Sequence, residues 1–161
     1  MLALLAVLAA STSAVAGATA TSSTPPCATS RLVVWLDTSG DGAAGSVYYN
    51  LKFTNLSGHA CTLLGYPGVS AVDLGGRQLG SAASRNHHTP ARLVRLASGG
   101  TASAVLQITE ARNFPSGNCR PVTAAGLRVY PPNQTASKVI PFPVGACSRA
   151  GPVYLRVEAT R

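Results

Sequence analysis

Acidic side chains are scarce in this chain of 161 residues, which has five Asp and Glu residues against thirteen Lys and Arg residues. The formal net charge is +8 with histidine neutral. Glycoside hydrolysis needs two carboxylates that converge across a cleft, and five scattered acids do not indicate such a pair. The positive charge predicts attraction to polyanions. Outside a cell these are more often wall polymers, acidic glycans or lipid head groups than nucleic acid.

Motifs for catalysis and for metal binding are also missing. The G-x-S-x-G turn of serine hydrolases does not occur, and the four cysteines contain no C-x-x-C pair of the kind that binds zinc. His87 and His88 are adjacent, and adjacent side chains point to opposite sides of an extended chain. We therefore expect a solvated loop there, and no copper or nickel site, with or without His59. The sequence predicts a non-catalytic protein without cofactor or metal, and a small secreted enzyme or metal carrier is the alternative.

Helical periodicity is absent from the whole chain. Residues 47–54 instead alternate apolar and polar side chains with the two-residue period of a half-buried strand. Further strands are predicted over residues 31–37, 61–64, 69–74, 77–79, 91–96, 101–109, 126–130, 138–142 and 152–159. Gly75-Gly76 predicts a hairpin turn between two of them, and segments 91–96 and 101–109 are expected to form another hairpin.

These strands predict an all-β fold. Strands with one polar and one apolar face need a second sheet to cover the apolar face, so we expect an antiparallel immunoglobulin-like or Greek-key β-sandwich with two disulfides. A closed barrel is the alternative. Pro141 and Pro143 cannot donate to a ladder, which places residues 138–142 on a sheet edge.

The first residues of the sequence predict export from the cytoplasm. Residues 1–20 are an apolar leader that passes into small residues with A-x-A cleavage sites, which predicts a signal peptide. Residues 21–26 are Thr, Ser and Pro and predict a flexible tether. Residues 27–161 suffice for a single domain and are too few for two. We expect a mature monomer, secreted or associated with the cell envelope, without a membrane span.

Four cysteines in a chain with a leader predict two disulfides formed outside the cytoplasm, and they allow three connectivities. We expect Cys27 to pair with Cys61 and Cys119 with Cys147, because sequential pairing closes the shortest loops. Each loop of about thirty residues should stabilise the fold by roughly 3–4 kcal/mol on the chain-entropy account.

Residues 84–95, SRNHHTPARLVR, are the first candidate binding surface because they form the densest positive run and contain no acid. The candidate side chains are Arg85, His87, His88, Arg92 and Arg95. Arginine suits phosphate and carboxylate groups, and protonation of the two histidines in acidic surroundings should strengthen the attraction. The alternative is a solvated loop in a generally basic protein.

The second candidate surface is aromatic. Leu32, Val34 and Leu36 make the apolar face of the first strand, which leaves Trp35 on the other face. If Trp35 and Tyr48 both face outward on neighbouring strands, they would form a flat platform for a sugar ring. The alternative is that a loop or the tether covers them.

Several segments together resemble a known family. They are Cys27, TNLS at 54–57, CTLLGYPGV at 61–69, LRVYPP at 127–132 and Cys147. They resemble the secreted actinobacterial domain-of-unknown-function family 4232, over Cys27 to about Glu158. The resemblance implies an envelope-side β-sandwich with structural disulfides and no established activity, and the lipobox of lipid-anchored members is missing before Cys27.

These observations predict a secreted, non-catalytic cell-envelope module. Its predicted partner is an anionic cell-wall polymer or glycan and not a nucleic acid. A purely structural domain is the remaining alternative.

Overall fold

The structure is a computed structural model, and it describes residues 23–161. The predicted signal peptide at residues 1–20 and the first two residues of the predicted tether lie outside the described residues.

Strands make up most of the described chain. In order they are β1 Leu32–Ala43, β2 Ser46–Asn55, β3 Cys61–Leu64, β4 Gly68–Val72, β5 Gln78–Leu79, β6 Ser84–Arg85, β7 Leu93–Leu96, β8 Thr101–Thr109, β9 Pro121–Tyr130, β10 Lys138–Cys147 and β11 Leu155–Val157. The helical elements in residues 23–161 are the short helix α1, Ser116–Cys119, and 3-10 turns at Thr29–Arg31 and Ala111–Asn113.

The strands form two main sheets and a small one. The order in the five-stranded sheet is β1-β2-β8-β11-β6, and the order in the four-stranded sheet is β10-β9-β4-β5. Strands β3 and β7 pair with each other in the third sheet. Every pairing is antiparallel except that of β6 with β11. The predicted all-β sandwich with antiparallel pairing is confirmed.

The core lies where alternating apolar side chains of the two main sheets meet. Leu51 and Phe53 of β2 and Leu106 of β8 are buried in the five-stranded sheet, and Leu127 and Val129 of β9 are buried in the other. Burial of side chains of this size contributes roughly 1.5–3 kcal/mol each. The period-two pattern of β2 and β8 therefore orients both sheets toward one core.

The predicted pairing of segments 91–96 and 101–109 is wrong. Strand β7 pairs with β3, with Leu96 opposite Cys61, whereas β8 pairs with β2 and β11. Between them, Gly99 and Gly100 form backbone hydrogen bonds with Asn55 (2.7 and 2.9 Å), which fasten the turn to the end of β2. The chain thus passes into another sheet at this turn.

Two other local predictions are confirmed. Strands β4 and β5 form the hairpin around Gly75-Gly76, with Ala71 opposite Leu79. Strand β10, which contains Pro141 and Pro143, lies at the edge of its sheet, and its register shifts just after Pro141.

Both disulfides pair as predicted, Cys27 with Cys61 and Cys119 with Cys147. The first fastens the start of the domain to β3, and the second joins α1 to the end of β10. The last residues of the predicted tether are also bound, because Pro25 accepts a hydrogen bond from the backbone N–H of Thr62 (2.9 Å). Pro25 and Pro26 are therefore fastened to β3 and do not form a free tether.

Asn55, at the end of β2, is fully buried, and both polar atoms of its carboxamide form hydrogen bonds. Its Nδ2 donates to the carbonyls of His59 (2.8 Å), Leu96 (3.2 Å) and Ala97 (3.1 Å), and its Oδ1 accepts from the N–H of Ser57 (3.0 Å). Buried backbone groups need such partners because their desolvation is costly. One side chain thus joins the end of β2 to the turns that flank β3 and β7.

The Asn55→Ala substitution should lower the free energy of unfolding by about 2–4 kcal/mol, because four hydrogen bonds between its buried carboxamide and the backbone are lost together. Denaturant unfolding measures this change. Asn50→Ala on the outer face of the same strand is the control and should change it by less than about 0.5 kcal/mol. Equal effects of the two substitutions would contradict the role assigned to Asn55.

Tyr154 is buried just before β11, and its hydroxyl donates to the carbonyl of Leu79 (2.8 Å). Burial raises the pKa of Tyr154 to about 12 from an ordinary value of 10.0. Because the pKa in the folded state is the higher one, the stabilising contribution is complete below about pH 10 and is lost as the pH rises through about 12.

The Tyr154→Phe substitution should cost about 1 kcal/mol at neutral pH, because the buried hydrogen bond to Leu79 is lost. It should also make the loss of stability above about pH 10 less steep. Denaturant unfolding over a pH series tests both effects, with Tyr48→Phe as a control at an exposed tyrosine. An unchanged alkaline slope in Tyr154→Phe would contradict this account.

Candidate functional site

The predicted basic segment 84–95 does not form a single loop. Its first residues, Ser84 and Arg85, form the edge strand β6, with Arg85 aligned with Val157 of β11. Its last residues belong to β7, where Arg95 lies opposite Thr62. The segment therefore links the edge of the five-stranded sheet to the two-stranded sheet.

Tyr66 gathers part of this segment around its ring. The Cζ atom of Arg85 lies 5.8 Å from the ring centroid, within the range of a cation–π contact. The ring of His87 packs edge-on against Tyr66 with centroids 5.0 Å apart. The Tyr66 hydroxyl donates to the carbonyl of Thr89 (3.1 Å). We call Tyr66, Arg85 and His87 the Tyr66 cluster.

The other predicted site residues stay apart from this cluster. His88 is exposed, and its backbone N–H donates to Oδ1 of Asn86 (3.2 Å) within a local turn. Arg92 and Arg95 are exposed as well. Within residues 23–161, no side-chain hydrogen bond or ion pair links His88, Arg92 or Arg95 to the Tyr66 cluster.

Arg85 has no carboxylate partner in the described part of the chain. The ion pairs found there join Arg77 to Asp73 (3.1 Å) and Arg161 to Glu158 (3.4 Å). Asp73 belongs to the β4–β5 turn, and the hydrogen bond from the backbone N–H of Arg77 is the main cause that lowers the pKa of its carboxyl. The guanidinium of Arg85 is therefore available to an external anion.

A cleft of about 280 Å³ opens beside the Tyr66 cluster. It is lined by Gly65, Tyr66, Gly68, Arg85, Tyr130, Pro131, Asn133 and Gln134. Tyr130 lies opposite Gly68, where an added Cβ would come within 3.4 Å of the Tyr130 side chain. The backbone at position 68 thus lies directly beside the tyrosine that borders the cleft.

The far rim of the cleft is a β-turn. The N–H of Gln134 donates to the carbonyl of Pro131 (3.0 Å), and Asn133 has φ 58°. A positive φ at the third residue with proline at the second is the pattern of a type II turn. This turn places Asn133 and Gln134 at the cleft.

The profile of a family described as "Domain of unknown function (DUF4232)" matches residues 27–160. The chain belongs to this family. No curated protein and no solved structure gives a significant match to the chain. The family predicted from the sequence is confirmed, and membership of DUF4232 brings no activity with it.

Two of the segments on which the resemblance to DUF4232 was recognised meet at the cleft. They are the turn at residues 65–68, GYPG, and residues 130–132, YPP. Pro67, Pro131 and Pro132 are buried in these segments, and Pro131 lines the cleft. Neither Tyr66 nor Tyr130 was predicted as a site residue, because a tyrosine beside Gly and Pro indicates only a turn. The available signal was a tyrosine next to proline in each of the two turn segments.

Trp35 and Tyr48 face outward as proposed from the sequence, with exposed fractions of 41% and 38%. However, Trp35 lies opposite Lys52, while Tyr48 lies four residues away on β2 and opposite Asp41. Four residues span about 14 Å along a strand. The indole N–H of Trp35 donates to Oγ1 of Thr54 (3.2 Å). The two rings therefore do not adjoin in a continuous platform.

A larger cavity of about 570 Å³ lies at the β1–β2 turn. Its lining includes residues 42–47, Tyr49, Ile108 and residues 143–145, and Glu110 is its one charged residue. No second carboxylate lines this cavity, and Oε1 of Glu110 already accepts a hydrogen bond from the backbone N–H of Arg112 (3.2 Å). This cavity therefore offers no pair of converging carboxylates.

No three His, Cys, Asp or Glu side chains lie close enough together to hold a metal ion within residues 23–161. No helix in that part of the chain is long and apolar enough to cross a membrane.

Proposed function

We propose that this DUF4232 domain is a secreted, non-catalytic module of the cell envelope that binds an anionic polymer. Two disulfides support an oxidising compartment outside the cytoplasm. The net charge of +8 supports attraction to polyanions over distances of about 8–10 Å at physiological ionic strength. The dispersed acids support a role in binding more than a role in catalysis.

One observation carries the proposal, namely the unpaired guanidinium of Arg85 held against Tyr66 beside His87. A guanidinium presents several N–H donors in a planar fork that matches carboxylate and phosphate groups. Packing against an aromatic ring restricts the side chain before a ligand arrives, which lowers the entropic cost of binding.

Arg92 and Arg95 extend this positive surface. Both are exposed, and both follow the Tyr66 cluster closely along the chain. In the proposed complex they attract the polymer over a distance, whereas Arg85 contacts it directly. Exposed charges of this kind affect the rate of association and its salt dependence more than the final affinity.

A pull-down with purified cell wall and with an acidic glycan tests the proposal. Replacing Arg85, Arg92 and Arg95 by Gln should weaken retention about tenfold or more, because a hydrogen bond to a charged group contributes roughly 1.5–3 kcal/mol. Retention of the wild type should fall as salt is raised.

The matched control removes three charges elsewhere, at Arg112, Arg120 and Arg149. Arg120 and Arg149 adjoin the Cys119–Cys147 disulfide through backbone hydrogen bonds with Ser148 and Cys119, and Arg112 belongs to the 3-10 turn Ala111–Asn113. The control should keep most of the retention. Two results would contradict the proposed site. One is equal retention of the wild type and the triple variant at Arg85, Arg92 and Arg95 across the salt series, and the other is an equal loss of retention in the triple variant and the control.

A further inference from the structure

The cleft beside the Tyr66 cluster has the size of a site for one small polar unit. Its volume of about 280 Å³ lies just below the range of roughly 300–1,000 Å³ for pockets that hold drug-sized ligands. A single unit of a polymer is of that order, and several units are not. The exposed run of charge alone would instead follow a polymer over many units.

The lining of the cleft carries one charge and several neutral polar groups. Arg85 is its one charged residue, and no acid lines it. The Asn133 carboxamide and the Tyr130 hydroxyl form no hydrogen bond within residues 23–161. These groups can exchange hydrogen bonds with ligand hydroxyls, because a carboxamide both donates and accepts and a phenol does the same.

Hydrogen bonds from neighbouring segments hold both walls of the cleft in place. The N–H of Thr160 donates to the carbonyl of Gly65 (2.9 Å), which fastens the turn before Tyr66 to the end of the chain. On the opposite wall, Oε1 of Gln134 accepts from the hydroxyl of Thr29 (3.4 Å). A site held by such contacts loses little conformational freedom on binding.

We infer that this cleft binds one anionic sugar unit of the polymer, with Arg85 contacting its carboxylate or phosphate. Asn133 and Tyr130 then contact the ring hydroxyls, and the side of the Tyr130 ring packs against the C–H groups of the sugar. The inference rests on the proposed function and adds to it a site that selects the unit. A uronic acid and a sugar phosphate share the required chemistry, a polyhydroxylated ring with one anionic group.

Titration calorimetry with three sugars of the same ring tests this inference. The probes are galactose, galacturonic acid and galactose 6-phosphate, which differ only at the sixth carbon. At least one anionic sugar should bind about tenfold or more tightly than galactose, because only it engages Arg85. The anionic sugar that binds more tightly shows whether the site takes a carboxylate or a phosphate. Equal affinity for all three sugars, or no binding of any, would overturn the inference.

Two substitutions separate the inference from the proposed function because neither changes the charge. Asn133→Gly keeps the positive φ that the turn requires and removes the carboxamide, and Tyr130→Phe removes only the hydroxyl. Each should weaken binding of the anionic sugar about threefold to tenfold, since each removes a neutral hydrogen bond. Tyr48→Phe is the control and should bind as the wild type does.

Thermal unfolding of each variant establishes that the fold is kept, and the polymer pull-down is repeated with the same proteins. If Asn133→Gly and Tyr130→Phe retain the polymer and also bind the anionic sugar as tightly as the wild type does, the inference is overturned and the proposed function stands. If the wild type itself shows no charge-dependent retention on the polymer, the proposed function is overturned.

Discussion

The buried carboxamide of Asn55 is the interaction on which the arrangement around the site depends. It joins the end of β2 to the carbonyl of His59 before β3 and to the carbonyls of Leu96 and Ala97 at the end of β7. The Oγ of Ser57 also donates to the carbonyl of His59 (2.8 Å), whereas Asn55 is the one side chain within residues 23–161 that donates to the carbonyls of Leu96 and Ala97. Together with the Cys27–Cys61 disulfide, this polar group inside the core therefore fastens the small sheet of β3 and β7 to the rest of the sandwich.

The position of the Tyr66 cluster follows from the position of that small sheet. Strand β3 ends at Leu64, and the turn that follows it brings Tyr66 to the edge of the sandwich, where Arg85 and His87 pack on its ring. The same turn continues into Gly68, opposite Tyr130, and so forms one wall of the cleft. A network that satisfies buried backbone groups thus also orients the groups available to an external anion.

Much of the fold could be predicted from local patterns. Alternation in β2 and the prolines of β10 each act over a few residues, and they correctly indicated a buried strand face and a sheet edge. The pairing of β7 with β3 could not be predicted, because it depends on hydrogen bonds between Asn55 and residues about forty positions away. The general lesson is that periodicity encodes which face is buried and does not encode which strand lies next to it.

The candidate site shows the same division. The charge of segment 84–95 is visible in the sequence, and Arg85 and His87 do meet in space. Their meeting point, Tyr66, lies about twenty positions away and belongs to a turn motif, so neither charge nor spacing points to it. Tyr130 and Asn133 lie farther still along the chain and join the cleft only through the pairing of β4 with β9.

Amide chemical-shift mapping of the labelled domain during titration with an oligogalacturonate tests the central claim most directly. The account predicts that the largest shifts fall on residues 65–68, 84–88 and 130–134, which border the cleft and the Tyr66 cluster. Shifts concentrated at residues 42–47, around the larger cavity, or spread evenly over all exposed arginines would contradict it.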